Sequence, residues 1–197
     1  MTETNTSTSL ILASSSPRRR ELLQNLGISF EVMTSDVDET TASGLSPEQV
    51  VKELSLRKAA AVAQRLTEGI VLGSDTIVVY QGQILGKPVD ESDAFRMLSM
   101  LQGQEHTVYS GVALLDAATK REEVSYSHTQ VKIRPLSETE IESYIATKEP
   151  MDKAGSYAIQ GIGATIVEGI TGDYFTVVGL PLCLTANMLT RFGVTVL

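Results

Sequence analysis

One short stretch constrains this chain more than any other: an apolar run that leads straight into a proline-started, arginine-rich segment, Leu10-Ile-Leu-Ala-Ser-Ser-Ser-Pro-Arg-Arg-Arg-Glu-Leu-Leu23. Residues 10–13 fit a buried strand. Ser16 fits a helix N-cap and Pro17 the first helical position. Leu22, Leu23 and Leu26 then form an apolar stripe that Gly27 stops. Arg18, Arg19 and Arg20 fall in the first turn, where the helix end carries roughly +0.5 charge and each cation is disfavoured by about 0.3–1 kcal/mol. A strand end that gathers arginines, hydroxyl groups and free backbone N–H groups against that local cost fits a phosphate-bearing ligand. Solvated arginines that aid solubility are the other reading of the same residues.

The 197 residues suit one α/β domain, or one domain with an added lobe, with a polar tail over 1–9 and the domain proper over 10–197. A hydrophobic share of 42% against 20% charged residues predicts a globular, water-soluble protein. The net charge of −8 argues against nucleic acid or an anionic membrane as partner, so arginines gathered at one strand end suggest a small anion. Cys183 is the only cysteine, which excludes an intramolecular disulfide, and its apolar surroundings predict a buried, inert thiol. With only His106 and His128 beside it, a Cys/His zinc cluster lacks ligands, so any metal should be a hard ion on carboxylates. The polar N-terminal tail carries no signal-peptide pattern, and no apolar run approaches the ~20 residues of a membrane span. A cytoplasmic location is the resulting expectation.

Residues 30–34 predict a second strand, followed by an acidic, hydroxyl-rich loop to Gly44. Ser46-Pro47-Glu48-Gln49 predicts a helix opened by a capping box and running to about residue 65. Residues 70–72 and 76–80 read as two short apolar runs with Gly73-Ser74-Asp75 between them. A tight turn at 81–83, a break at Gly86-Lys87-Pro88 and a helix over 90–101 stopped by Gly103 come next. Residues 107–115 and 124–133 predict a long antiparallel hairpin, and Ser137 with Glu140 a second capping box. A strand over 164–167 and a last helix over 181–191 complete a mixed α/β order without repeats.

Several side chains are candidates for chemistry. Cleaving a phosphoanhydride needs a hard metal ion to neutralise phosphates and a carboxylate to hold or deprotonate water. Asp75 is the strongest candidate, since an apolar strand leading into Gly-Ser-Asp-Thr puts a carboxylate at a strand end, where ligands of open α/β sheets gather. An aspartate that caps its own turn after glycine fits the same residues. Asp36, Asp38 and Glu39 share one loop, and Asp173 sits in a Gly-Asp loop. Lys58 falls on the second helix, and Lys87 lies between Gly86 and Pro88, where a ligand can approach closely. The chain has no Gly-x-x-x-x-Gly-Lys-Ser/Thr loop and no Gly-x-Gly-x-x-Gly, and Gly161-x-Gly163 is too common to count. Without a Gly-x-Ser-x-Gly elbow, Ser14, Ser15 and Ser16 do not suggest a serine hydrolase.

Taken in order, these stretches resemble the Maf family of nucleotide pyrophosphatases. The resemblance rests on Ala13-Ser-Ser-Ser-Pro-Arg-Arg19, Asp38-Glu39, Lys58-Ala59, Gly73-Ser-Asp-Thr76, Gly86-Lys-Pro88, Val108-Tyr-Ser-Gly-Val112, Glu149-Pro-Met-Asp-Lys-Ala-Gly-Ser-Tyr157, Ile159-Gln-Gly161 and Gly172-Asp173. It implies a fold like that of the inosine triphosphate pyrophosphatases: an elongated mixed sheet flanked by helices, in two lobes around a deep cleft. It also implies hydrolysis of a nucleoside triphosphate to monophosphate and pyrophosphate with Mg²⁺ or Mn²⁺. Ser15 stands where many relatives have glycine.

The stretch Asp152-Lys-Ala-Gly-Ser-Tyr157 followed by Ile159-Gln160-Gly161 looks like the branch acting on dTTP and UTP, and extends to modified pyrimidine nucleotides. An amide offers both a donor and an acceptor to the O4/N3–H edge of the base, which a carboxylate cannot. The resemblance implies that Arg18, Thr76 and Gln160 set specificity and that Asp75 accepts the proton. Arg18, Arg19, Lys58 and Lys87 would hold the triphosphate with Ser14 and Ser16, and Glu39 and Asp75 the metal. Removing Arg18 or Arg19 should then leave stability unchanged or slightly raised. The partner is a small nucleoside triphosphate, not nucleic acid or a membrane, and a homodimer is compatible with the sequence. A nucleotide-binding regulator of septum formation that does not turn its ligand over is the rival expectation.

Overall fold

The computed structural model describes residues 9–197. Most of the polar tail expected over 1–9 therefore lies outside the described residues. The chain runs β1 (Leu10–Leu12), α1 (Pro17–Gln24), β2 (Glu31–Val32), α2 (Pro47–Ala63), β3 (Ile70–Tyr80), β4 (Gln83–Leu85), α3 (Glu91–Leu101), β5 (Glu105–Asp116) and β6 (Glu122–Ile133). It continues through α4 (Glu138–Ala146), 3-10 turns at Glu149–Asp152, Ala154–Ser156 and Gly161–Thr165, β7 (Val167–Thr171), α5 (Tyr174–Val178) and α6 (Leu182–Arg191). The caps form as the sequence predicts. The Ser16 hydroxyl accepts the Arg19 N–H at the start of α1, and Ser46/Gln49 and Ser137/Glu140 close reciprocal capping boxes on α2 and α4.

Seven strands make one mixed sheet in the order β2-β1-β3-β5-β6-β7, with β4 paired to β3. Along one edge of β3, β5 pairs antiparallel from Ile70↔Asp116 to Val79↔Thr107. The other edge is shared. β1 pairs parallel with residues 70–72, and β4 pairs antiparallel with residues 78–80. Between them, residues 73–77 have no strand partner on that side. This gap arises because β1 stops at Leu12 and its chain turns away into α1, while β3 runs on.

Alternation along the strands assigns the layers. Leu10, Leu12, Ile70, Leu72, Val112 and Leu114 pack with α1 and α6, whereas Ile11, Val71 and Ala113 pack with Ala59, Val62 and Ala63 of α2. Farther along the sheet, Val78, Val108, Val131 and Ile133 form a second core with Met97, Leu98 and Leu101 of α3 and Ile141, Tyr144 and Ile145 of α4. Each fully buried aliphatic side chain contributes roughly 1.5–3 kcal/mol, so both ends of the sheet carry their own stabilising core. No helix of the described residues is long and apolar enough to cross a membrane.

The structure corrects several expectations. Residues 70–80 form one strand, not two runs around a loop, because the β5 ladder continues through Gly73-Ser74-Asp75 and both polar side chains find partners. β2 spans only Glu31–Val32, since the short β1 is its pairing partner. The strand expected over 164–167 lies at Val167–Thr171, where it pairs with β6, and residues 161–165 form a 3-10 turn instead. Cys183 is exposed, not buried, because α6 turns Thr185, Met188 and Leu189 inward and leaves Cys183 on its outer side. Asp173 is the N-cap of α5, a helix the sequence did not reveal, and accepts the Thr176 N–H at 2.7 Å.

Candidate active site

The gap along β3 opens onto a cleft of about 710 Å³. Ser14, Ser16, Arg18, Arg19, Glu39, Lys58, Asp75, Thr76, Lys87 and Gln160 all line it. They come from six separate stretches of sequence. Asp75 and Thr76 are neighbours on β3 whose side chains leave opposite faces of the sheet, yet both reach the cleft, which passes through the gap.

On the α2 side, the Lys58 ammonium lies 2.5 Å from Asp75 Oδ1 and 2.7 Å from Glu39 Oε1. Asp75 is mid-strand and bonds across to a helix, so it is neither at a strand end nor capping its own turn. Two glycines let α2 come so close. A Cβ on Gly73 would sit 2.2 Å from the Ser55 carbonyl oxygen, and one on Gly111 2.2 Å from that of Val51. Glu39 is held from the same helix: the Arg57 guanidinium donates to the Asp38 carbonyl and, at 2.8 Å, to the Thr40 carbonyl. Asp38 turns away to accept the Thr40 N–H at 2.8 Å. The hydrogen bond from Lys58 holds the Glu39 carboxyl below its ordinary value, against the opposing effect of burial. Arg57 carried no signal in the sequence beyond standing next to Lys58.

On the other face, Arg19 is a tie between elements. Its Nε donates to the Gly179 carbonyl at 2.8 Å and its Nη2 to Thr76 Oγ1 at 3.0 Å. Thr76 and Ser110 share a 2.7 Å hydroxyl contact, and Ser110 donates to the Thr176 carbonyl at 2.8 Å. Burial pulls the Arg19 guanidinium below its ordinary pKa, while the charge of Asp75 opposes that shift. Ser14 Oγ accepts the Ser16 N–H at 3.1 Å, which shapes the turn between β1 and α1. Lys87 is exposed at the cleft, and Gln160 lies part-buried at the head of a 3-10 turn. Asp152 and Lys153 also line the cleft, paired at 2.6 Å, from a motif whose individual side chains the sequence did not assign.

A hard divalent cation fits the donor set in kind. Glu39 and Asp75 present carboxylate oxygens to one shared point, where the ammonium of Lys58 lies. Among the described residues no group of three His, Cys, Asp or Glu could hold a metal ion. Such an ion would therefore draw its other ligands from phosphates and water, as Mg²⁺ commonly does.

Known proteins resemble this chain along most of its length. The family model described as Maf-like protein matches residues 9–192. A dTTP/UTP pyrophosphatase of Pelotomaculum thermopropionicum is 53% identical over 188 residues, covering 95% of this chain and 98% of that protein. Proteins with the same name from Desulforamulus reducens and Moorella thermoacetica are 50% and 52% identical over 187 residues, each covering 95% of this chain and respectively 98% and 96% of their own. Among solved structures, a HAM1 protein from Coxiella burnetii overlaps 64% of this chain and 73% of its own at 14% identity and a TM-score of 0.48. With the family pattern running through nearly every described element, the chain belongs to the Maf family.

Proposed function

We propose that this protein hydrolyses dTTP and UTP, together with modified pyrimidine nucleotides, to the monophosphate and pyrophosphate. The observation that carries the reading is the convergence on one cleft of Asp75, Glu39 and Lys58 with Arg18, Lys87 and Gln160. The names of the relatives about half identical to it support the choice of substrates. Arg18, Lys58 and Lys87 hold the triphosphate, Ser14 and Ser16 flank it, and Gln160 faces the base with Thr76 below. Asp75 accepts the proton of the attacking water, whose oxygen bonds to the α-phosphorus as the bond to the bridging α–β oxygen breaks. The departing pyrophosphate takes that electron pair, and the basic residues stabilise its charge. Glu39 and Asp75 are the residues that would hold Mg²⁺ or Mn²⁺, which supplies charge neutralisation on the phosphates when bound. Arg19, already committed to Thr76 and Gly179, positions α1 and leaves the phosphate contact to Arg18. The net charge of −8 supports free nucleotides in the cytoplasm as the substrate pool, not nucleic acid or membranes.

The test is pyrophosphate release from UTP and dTTP by the pure protein with Mn²⁺ or Mg²⁺. Turnover of both, abolished in Asp75→Asn, is the expected result. Tight nucleotide binding without pyrophosphate release would favour a regulator and overturn the reading.

A further inference from the structure

Gln160 offers no side-chain cap to the 3-10 turn it begins. The placement of its carboxamide therefore depends on the backbone around it. That matters because a carboxamide reads uracil or thymine only in one orientation: carbonyl to N3–H, amide to O4. Rotated by half a turn it suits cytosine.

The backbone on both sides of Gln160 is tied to one pair of side chains. Before it, the Ala158 N–H donates to the Tyr144 hydroxyl at 3.1 Å. After it, the Ile162 N–H donates to Glu149 Oε2 at 3.0 Å and the Gly163 N–H to Glu149 Oε1 at 2.8 Å. The two anchors are themselves joined, since the Tyr144 hydroxyl donates to Glu149 Oε1 at 2.9 Å. Every bond in this chain has a fixed sense. Burial pushes the Tyr144 phenol up, so it stays protonated and can donate. For Glu149, burial acts upward, but the N–H groups of Gly163 and Ile162 and the Tyr144 hydroxyl hold its carboxyl below the ordinary value, so it stays an acceptor.

Gly161 and Gly163 fit the same clasp. A Cβ on Gly161, at φ +65°, would lie 2.4 Å from Glu149 Oε2. One on Gly163 would lie 2.5 Å from the Tyr144 hydroxyl oxygen and 2.2 Å from the Ala158 carbonyl oxygen. The Gly-x-Gly spacing, too common to weigh in the sequence, lets the turn close onto these two side chains. Tyr144 is anchored in turn, 4% exposed in the core between α3 and α4.

We propose that Tyr144 and Glu149 are positioning residues for base recognition, a two-residue clasp that holds the Gln160 turn so that its amide distinguishes uracil and thymine from cytosine. The proposal rests on the dTTP/UTP reading above. Neither residue needs to touch the nucleotide. Loosening the clasp should cost base discrimination while the phosphate chemistry around Asp75, carried by other elements, continues.

The experiment measures kcat/KM for UTP, dTTP, CTP and GTP in wild type, Tyr144→Phe, Glu149→Gln and Gln160→Ala, with melting curves for each. Tyr144→Phe keeps the ring in its core and removes only the hydroxyl. Glu149→Gln keeps the shape and turns an amide donor toward N–H groups. Leaving one buried polar group unpaired corresponds to about 5–150-fold. The expected result is a UTP-to-CTP preference that falls by at least about 5-fold in both variants, with folded protein at the assay temperature. The Tyr144→Phe/Gln160→Ala double variant should lose little more preference than Gln160→Ala alone, since both act through one amide. Equal loss on all four nucleotides, or an unchanged ranking, would overturn the clasp while leaving the proposed activity standing. A wild type that releases pyrophosphate from none of them would overturn the activity and the clasp with it.

Discussion

Arg19→Ala separates a tie from a phosphate ligand, and its size can be worked out. The substitution removes the Nε bond to the Gly179 carbonyl at 2.8 Å and the Nη2 bond to Thr76 at 3.0 Å. Hydrogen bonds to a charged group contribute about 1.5–3 kcal/mol each. The lower figure applies here, because neither acceptor is orphaned: Gly179 keeps the Ser74 hydroxyl at 3.0 Å and Thr76 keeps Ser110 at 2.7 Å. The loss is then about 3 kcal/mol. Relief of a cation at the helix N-terminus returns about 0.3–1 kcal/mol, and release of a partly buried guanidinium returns some more. The net destabilisation is about 1–2 kcal/mol. For a chain of this length that corresponds to a fall in Tm of about 2–8 °C. The assay is thermal unfolding followed by circular dichroism at neutral pH, with Arg18→Ala as comparator. Arg18→Ala should melt within about 2 °C of wild type yet raise KM for UTP. An Arg19→Ala protein that melts at or above wild type would refute the tie and restore the expectation drawn from the helix dipole alone.

Asp75→Asn should lower kcat by about 10²–10⁴-fold with the fold retained; activity above about a tenth of wild type would remove Asp75 from the chemistry. Gln160→Glu should lose UTP and dTTP turnover by about 5–150-fold, because two acceptors would face each other at O4, and an unchanged substrate ranking would count against it. His106 is buried with its Nε2 2.7 Å from the Tyr157 hydroxyl, and burial lowers its pKa from 6.5 to about 4. Between those values the unfolded chain takes up the proton first, so this contribution is complete above pH 6.5 and is lost as pH falls toward 4. It amounts to about 3 kcal/mol, and His106→Gln should flatten the decline in urea-unfolding stability that wild type shows between about pH 7 and about pH 5.

The local rules of the chain were legible where they act within a few residues. Ser16-Pro17, Ser46 with Gln49 and Ser137 with Glu140 open helices because each side chain satisfies a backbone N–H only three residues away. The long hairpin of β5 and β6 was equally plain from its β-branched runs. What failed was decided at long range. Gly73-Ser74-Asp75 looks like a turn until β5 pairs with its backbone along one edge and α2 and the Gly179 carbonyl supply partners for its two polar side chains. The bond from Arg19 Nε to the Gly179 carbonyl, 160 residues away in sequence, has no counterpart in any local pattern. The cleft residues could be singled out one by one, but no spacing rule reveals that α2 bonds to both Glu39 and Asp75. Glu149 stood inside a quoted motif, but its bonds and those of Tyr144 to the turn around Gln160 were not legible, because they run to backbone N–H groups, which leave no mark on residue identity.

The seating of α2 on Gly73 and Gly111 makes the distance between Lys58 and Asp75 a property of layer thickness. At these two positions the sheet offers the helix no side chain, so its Val51 and Ser55 carbonyls come down almost to the strands. Reactivity in this cleft is thus governed by a mechanical tolerance as well as by charge. A single methyl group between helix and sheet would pull the ammonium off its carboxylates with every charged residue still in place. In a mutational screen such a lesion would carry the signature of a lost catalytic group, while its cause would lie in the floor beneath the helix.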